Sequence, residues 1–224
     1  MNQFQDLLNA LIKAKLPEIN NAIPNAIRNQ GLDPMINVTS GSNTIGSINL
    51  GICTAEAVAS YNLQNLTGLS SLRINALTIT NAITTPDGNS VHGTVALNAV
   101  LTSNLSIHLG GSFKAGCGFI KPSVGLGGTV TVSNVSINAS GDFNAAVGAQ
   151  LCLNNIDIMN PGLDYGNINI DIDGLGIFNS LLHPLEGFIL GLVKGPIVNL
   201  IESSVTPPVN NAISGILPQC TSLG

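Results

Sequence analysis

The sequence predicts an α+β chain laid out as helix, long bent antiparallel β meander, helix. Three observations carry that expectation. Apolar residues near the amino terminus recur at every third or fourth position, from Asn43 to Ile172 they recur at every second, and from Ile177 the longer period returns.

The first run holds Phe4, Leu7, Leu8, Leu11, Ile12, Leu16, Ile19, Ile23 and Ile27 on one side, with Asn, Gln, Lys and Glu opposite. That is the pattern of a one-sided helix, expected over residues 3–30. Pro17 and Pro24 each remove a backbone donor and predict a bend. Gly31 and Asp33-Pro34 end the helix.

Strands with one buried face are expected over residues 43–173. The clearest series are Ile48-Leu50-Ile52, Val95-Leu97-Ala99-Leu101, Leu105-Ile107-Leu109, Phe143-Ala145-Val147 and Ile168-Ile170-Ile172. Two stretches change phase, Leu72-Ile74 to Leu77-Ile79 and Val130-Val132 to Val135-Ile137. A slip of one residue moves the apolar set to the other face unless a bulge intervenes, so bulges and a strongly bent sheet follow. Turn chemistry stands at Pro86-Asp87-Gly88, Gly127-Gly128, Ser140-Gly141-Asp142 and Asn160-Pro161-Gly162.

The closing helix, expected over residues 176–216, runs through Phe178, Leu181, Leu182, Leu185, Phe188, Ile189 and Leu192 and continues past Gly195-Pro196. No linker or low-complexity stretch divides the chain, so residues 1–224 are read as a single domain.

Composition narrows the function classes. Only 8% of the residues are charged while 44% are apolar, which excludes a disordered chain. The 7 Lys and Arg against 12 Asp and Glu form no basic cluster. Nucleic acid and anionic membrane surfaces, which need cationic neutralisation, are not expected partners. Asn, Ser, Thr or Gly interrupts every apolar run before the roughly 18 residues that a spanning helix needs, so no transmembrane segment is expected.

No catalytic constellation emerges. His92, His108 and His183 are isolated, and no nucleophile or metal-ligand spacing joins them to other residues. Asn169-Ile170-Asp171-Ile172-Asp173-Gly174 imitates the start of a calcium loop, but the required Glu would fall at Ser180, so it reads as a strand entering a turn. Gly125-Leu126-Gly127-Gly128 lacks the helix and Lys of a phosphate cradle and reads as a hairpin or bulge. A non-enzymatic protein without cofactor or metal is the expectation.

Four cysteines, Cys53, Cys117, Cys152 and Cys220, are too far apart for a redox pair or zinc ribbon. Their even number suits two disulfides and an exported protein, against the alternative of four buried thiols. Sequons at Asn37, Asn65, Asn104, Asn134 and Asn138 are glycosylation candidates. With 28 Asn in the chain, about four such patterns arise by chance, so they add little. Residues Met1 to Asp6 lack the cationic start and cleavage site of a secretory leader, which fits a mature chain or one never exported.

Aromatic residues make up only 4% of the chain and Trp is absent, while small aliphatic residues abound. Such walls either close into an ordinary packed core or leave a smooth apolar channel.

The order of elements resembles the tubular lipid-binding superfamily, which includes bactericidal/permeability-increasing protein, juvenile-hormone-binding and takeout proteins, and single-domain mite allergens. The segment Tyr61 to Ile74, with Gly68-Leu69-Ser70 before an alternating strand, is similar to the family's early hairpin. Leu32-Asp33-Pro34-Met35 is similar to the junction after the first helix in the mite proteins. Ile168 to Ile172, then Leu175 and Phe178-Asn179 before a long apolar helix ending at Ile216-Leu217-Pro218, fits the family's close.

The resemblance implies a strongly curved antiparallel sheet wrapped around the long C-terminal helix, enclosing an elongated apolar tunnel, with no catalytic residues to carry over. The scarcity of basic residues departs from the antibacterial members, and the lack of any cysteine before Cys53 departs from the insect carriers. Strand parity favours pairing Cys53 with Cys152 and Cys117 with Cys220, whereas strand adjacency would join Cys117 to Cys152.

The expected function is therefore a secreted carrier of a hydrophobic small molecule such as a lipid, fatty acid, terpenoid or polyene pigment. Affinity would come from apolar area removed from water at about 25 cal/mol per Å². The expected wall comprises Phe4, Leu8, Leu11, Leu101, Leu109, Phe113, Phe119, Phe143, Leu182, Phe188, Ile189 and Leu192. The rival is a surface-active or matrix protein, which the low charge and the abundance of Asn, Ser, Thr and Gly also suit. Low charge leaves little repulsion against homo-oligomers.

Overall fold

Helix α1 (Gln3–Asn29) buries Leu8, Ile12, Ile19, Ile23 and Ile27, the stripe its sequence spacing lays down. This computed structural model describes residues 3–49, 53–117, 123–173 and 182–223. The helix is unbroken across Pro17 and Pro24. It stops in a left-handed Gly31, whose N–H donates to the Arg28 carbonyl at 2.9 Å while Leu32 N–H donates to the Ile27 carbonyl at 3.2 Å. These two bonds satisfy carbonyls that the helix end would otherwise orphan.

Among the described residues nine strands follow: β1 (Met35–Asn49), β2 (Thr54–Thr67), β3 (Leu72–Thr84), β4 (Ser90–Leu101), β5 (Leu105–Gly116), β6 (Ser123–Ser133), β7 (Ser136–Val147), β8 (Gln150–Asp164) and β9 (Asn167–Asp173). Helix α2 (Leu182–Ser214) and a short β10 (Gln219–Ser222) close the chain. Strand structure begins eight residues before the expected Asn43, because the stretch Asn37-Val38-Thr39-Ser40-Gly41-Ser42 pairs without clean alternation. Strand β10 was not foreseen. Residues 176–181 of the expected last helix lie outside the described residues, as do Leu50 and Ile52.

Among the described residues all pairings are antiparallel, but one continuous meander is not what forms. Two five-stranded sheets run in the orders β1-β2-β5-β6-β9 and β10-β8-β7-β4-β3. The chain changes sheet after each hairpin, and the crossings are short. Asn134 takes φ 54° between β6 and β7, a conformation that Asn tolerates. The phase change from Val132 to Val135 therefore marks a passage between sheets, not a bulge. The other phase change is a bulge, between Ile74 and Ala76 in β3.

Of the four turn signals, Pro86-Asp87-Gly88 alone joins two strands, β3 and β4. Gly127-Gly128 lies within β6, Ser140-Gly141-Asp142 within β7, and Asn160-Pro161-Gly162 within β8. In β8, Asn160 and Pro161 form the extra residues of a bulge between the Gly162 and Met159 pairings. A Cβ at Gly141 would run into the Asp157 carbonyl of the neighbouring strand, so glycine permits close approach inside the sheet rather than ending the strand.

Both helices seat against sheet edges. Helix α1 lies along β3, one edge of the second sheet, and α2 lies along β8 near its other edge. The helices also touch each other. Buried apolar residues of both sheets and both helices form one cluster, and among the described residues none of the buried ones is polar or charged.

Candidate functional site

The apolar interior is held at its margins by side-chain amides that stand in for a neighbouring strand. Asn20 accepts from Ile74 N–H at 2.8 Å and donates to the Ile74 carbonyl at 3.0 Å. Asn9 does the same for Ile79, at 2.7 and 3.2 Å, and Gln5 donates to the same carbonyl at 3.0 Å. On the opposite side Asn210 of α2 accepts from Ile158 N–H at 2.8 Å and returns a bond to its carbonyl at 3.1 Å. Glu202 accepts from Leu163 N–H at 3.2 Å. Exposed strand edges thereby keep their hydrogen bonds while the helices cover the apolar face beneath.

The crossing between sheets is pinned by Asp33. Its carboxylate accepts from Ser70 N–H at 2.6 Å and from Gly68 N–H at 3.2 Å. Gly68 is left-handed, and a Cβ there would meet the Asn104 carbonyl. The Leu32 to Met35 junction and the Gly68-Leu69-Ser70 turn, distant in sequence, are thus one assembly.

Of the predicted wall residues, Leu8, Leu101, Leu109, Phe113 and Phe143 are buried in the common cluster, and Phe4 and Leu11 pack against it half-buried. Phe119 lies outside the described residues, as do the side chains of Leu182, Phe188, Ile189 and Leu192 on α2. Leu11 of the expected wall lines a small apolar pocket where α1, α2 and β8 meet, together with Ile12, Ile19, Leu153, Ile156 and Ile213, which the expected wall left out. A second small pocket lies among Leu72, Leu97, Ile137, Ile158, Val205 and Val209. Each has a volume of about 10 Å³, room for about one water-sized sphere. A more open groove of about 400 Å³ runs between the C-terminal parts of the helices, lined by Ala22, Ala26, Ala212 and Ile216 with Asn25, Asn29 and Asn211.

Both expected disulfide pairings are corrected. Cys53 bonds Cys117, and Cys152 bonds Cys220. The reason is strand order. Cys53 and Cys117 flank the adjacent strands β2 and β5, and Cys152 faces Cys220 directly across β8 and β10. Cys53 and Cys152 belong to different sheets, as do Cys117 and Cys152.

The sequon residues Asn37, Asn65, Asn104, Asn134 and Asn138 are all exposed. Asn138 accepts from Asn98 Nδ2 at 2.8 Å in a cross-strand ladder that continues to Asn75. His92 and His108 are exposed on strands of different sheets. No group of three metal-ligating side chains occurs among the described residues. Among them, too, no helix is long and apolar enough to cross a membrane.

No family model and no curated protein sequence matches the chain. Among solved structures it is similar to lipopolysaccharide binding protein, at 14% identity and a TM-score of 0.36, over 92% of this chain. It spans 37% of that protein's length. It is also similar to Takeout 1 of Epiphyas postvittana, at 10% identity and a TM-score of 0.33, over 95% of this chain and 93% of that one.

Proposed function

We propose that the chain is a single tubular lipid-binding domain, secreted and non-enzymatic, that carries a hydrophobic small molecule between its curled sheets and its two helices. The guest replaces side-chain contacts along the seams where the helices rest on the sheets. The observation that carries this reading is the interior itself: among the described residues every buried side chain is apolar, and both helices belong to the same cluster as both sheets. Such a surface recognises a chain-like guest by area and excludes polar ones. The two disulfides fit an oxidising compartment.

The two small seam pockets lie where the helices rest on the sheets, bounded by apolar contacts that a guest can part. Binding of a naphthylamine fluorophore, with displacement by oleate, tests the proposal. The expected result is saturable, one-to-one binding reversed by oleate. Fluorescence that never saturates contradicts it.

A second reading is favoured by the small size of those same pockets: the fold opens at an air–water boundary and lays its apolar seams on it. Strong surface-tension lowering by a protein that takes up no fluorophore would select this reading.

A further inference from the structure

The buried stripe of α1 runs through Leu8, Ile12, Ile19, Ile23 and Ile27, and its widest gap lies between Ile12 and Ile19. Lys15 stands in that gap, one helical turn from each and on the face that both share. It is half-buried, with 32% of its side chain exposed, whereas Lys13 on the same helix is exposed. A lysine so placed lays its methylene stem on apolar surface and keeps its ammonium at the water boundary.

The surface in question is the seam pocket where α1, α2 and β8 meet, and Lys15 lines it beside Ile12, Ile19 and Ile213. Of the three cavities described above, this is the one with a charged lining residue. The other polar lining residue, Gln219, is uncharged, and its amide donates to the Ile216 carbonyl at 2.6 Å. Among the described residues the anion that Lys15 meets is Glu18, whose Oε1 lies 2.8 Å from Nζ. Glu18 is 56% exposed, so this is a solvated pair that another carboxylate can replace at little cost.

The seam also has length. Ile216 lines both this pocket and the open groove of about 400 Å³, which continues past Ala22 and Ala26. At about 1.5 Å per residue, the strip of α1 from Lys15 to Ala26 is roughly 16 Å long. Its polar groups beyond Lys15 are amides, so the strip carries its charge at one end.

The geometry points to a long-chain monocarboxylate as the guest of this seam, its tail laid between α1 and the end of α2 and its carboxylate on Lys15 Nζ in place of Glu18. This inference rests on the carrier reading and names the guest's class and its head-group partner. The single ammonium matches a single negative charge, and the carboxylate of Glu18 is the group it already holds. Selection then follows from charge, because an alcohol of the same chain length buries the same tail but leaves the ion pair with Glu18 unchanged.

The test uses the full chain with both disulfides formed and measures displacement of the naphthylamine fluorophore by oleate and by oleyl alcohol. Wild-type protein is expected to prefer oleate by about tenfold, the worth of one charged head-group contact. Lys15→Gln should abolish that preference by weakening oleate and leave oleyl alcohol and the circular dichroism spectrum unchanged. Glu18→Gln, which frees the ammonium, should tighten oleate and leave the alcohol alone. Equal binding of oleate and alcohol by the wild type, or a preference that survives Lys15→Gln, overturns the assignment and leaves the carrier reading standing. A chain that takes up neither ligand nor the fluorophore overturns both. The wild-type comparison decides the matter even if a variant fails to fold.

Discussion

The side-chain amide of Asn20 on α1 pairs in both directions with the peptide group of Ile74 on β3, at 2.8 and 3.0 Å. It occupies the place that a further strand would take, so the helix closes the sheet edge as well as covering the apolar face. Asn20→Ala removes both bonds and leaves a partly buried peptide unpaired, costing about 1–3 kcal/mol. Asn9→Ala should cost a similar amount. The two sites are eleven residues apart on the helix, far enough for their effects to add. Urea unfolding of the two single variants and the double variant checks this.

Asp33 joins the end of α1 to the turn before β3. Replacing it with Ala strips a charged acceptor from Gly68 and Ser70 N–H, at about 1.5–3 kcal/mol. Thermal unfolding of Asp33→Ala should show a fall of several degrees, with Asp33→Asn intermediate because the amide oxygen keeps part of the acceptor role.

The Asp87 carboxylate accepts from the Thr85 hydroxyl and from Asn89 N–H, and these bonds hold its pKa below the ordinary aspartate value. The charged form is the one favoured by folding. The hairpin tie is therefore fully present above the unfolded value and is lost as pH falls through the lower folded value. Carboxyl NMR titration should place Asp87 below a reference peptide, and Thr85→Val should move it back up.

Peptide mapping without reduction should recover Cys53 joined to Cys117 and Cys152 joined to Cys220. The second bond ties β10 and the end of the chain to β8. Cys152→Ser with Cys220→Ser is expected to destabilise by about 2–5 kcal/mol, read from urea unfolding.

Phe143 is buried in β7, and Phe143→Ala should cost about 3–5 kcal/mol through lost contacts and the cavity left behind.

The buried stripe of α1 and the inward residues of β4, β5 and β7 were legible because their periods of three to four and of two are imposed by burial itself. The bulge after Ile74 was legible for the same reason. Gly141 and Asn160-Pro161 were misread as turns because the residues that end strands also bend them, and composition does not separate the two. Disulfide pairing failed because alternation tells which face a cysteine is on but not which strand lies beside it. Asn9 and Asn20 looked like solvated positions on the polar side of α1. Their closeness to Leu8 and Ile19, at the border of the apolar stripe, was the available signal that they face an edge.

The most direct measurement is native mass spectrometry of the protein isolated from its natural source, followed by release of any bound molecule into organic solvent. The account predicts a stoichiometric apolar compound that leaves with the solvent, whereas a mass equal to the bare polypeptide and an extract empty of such compounds would contradict it.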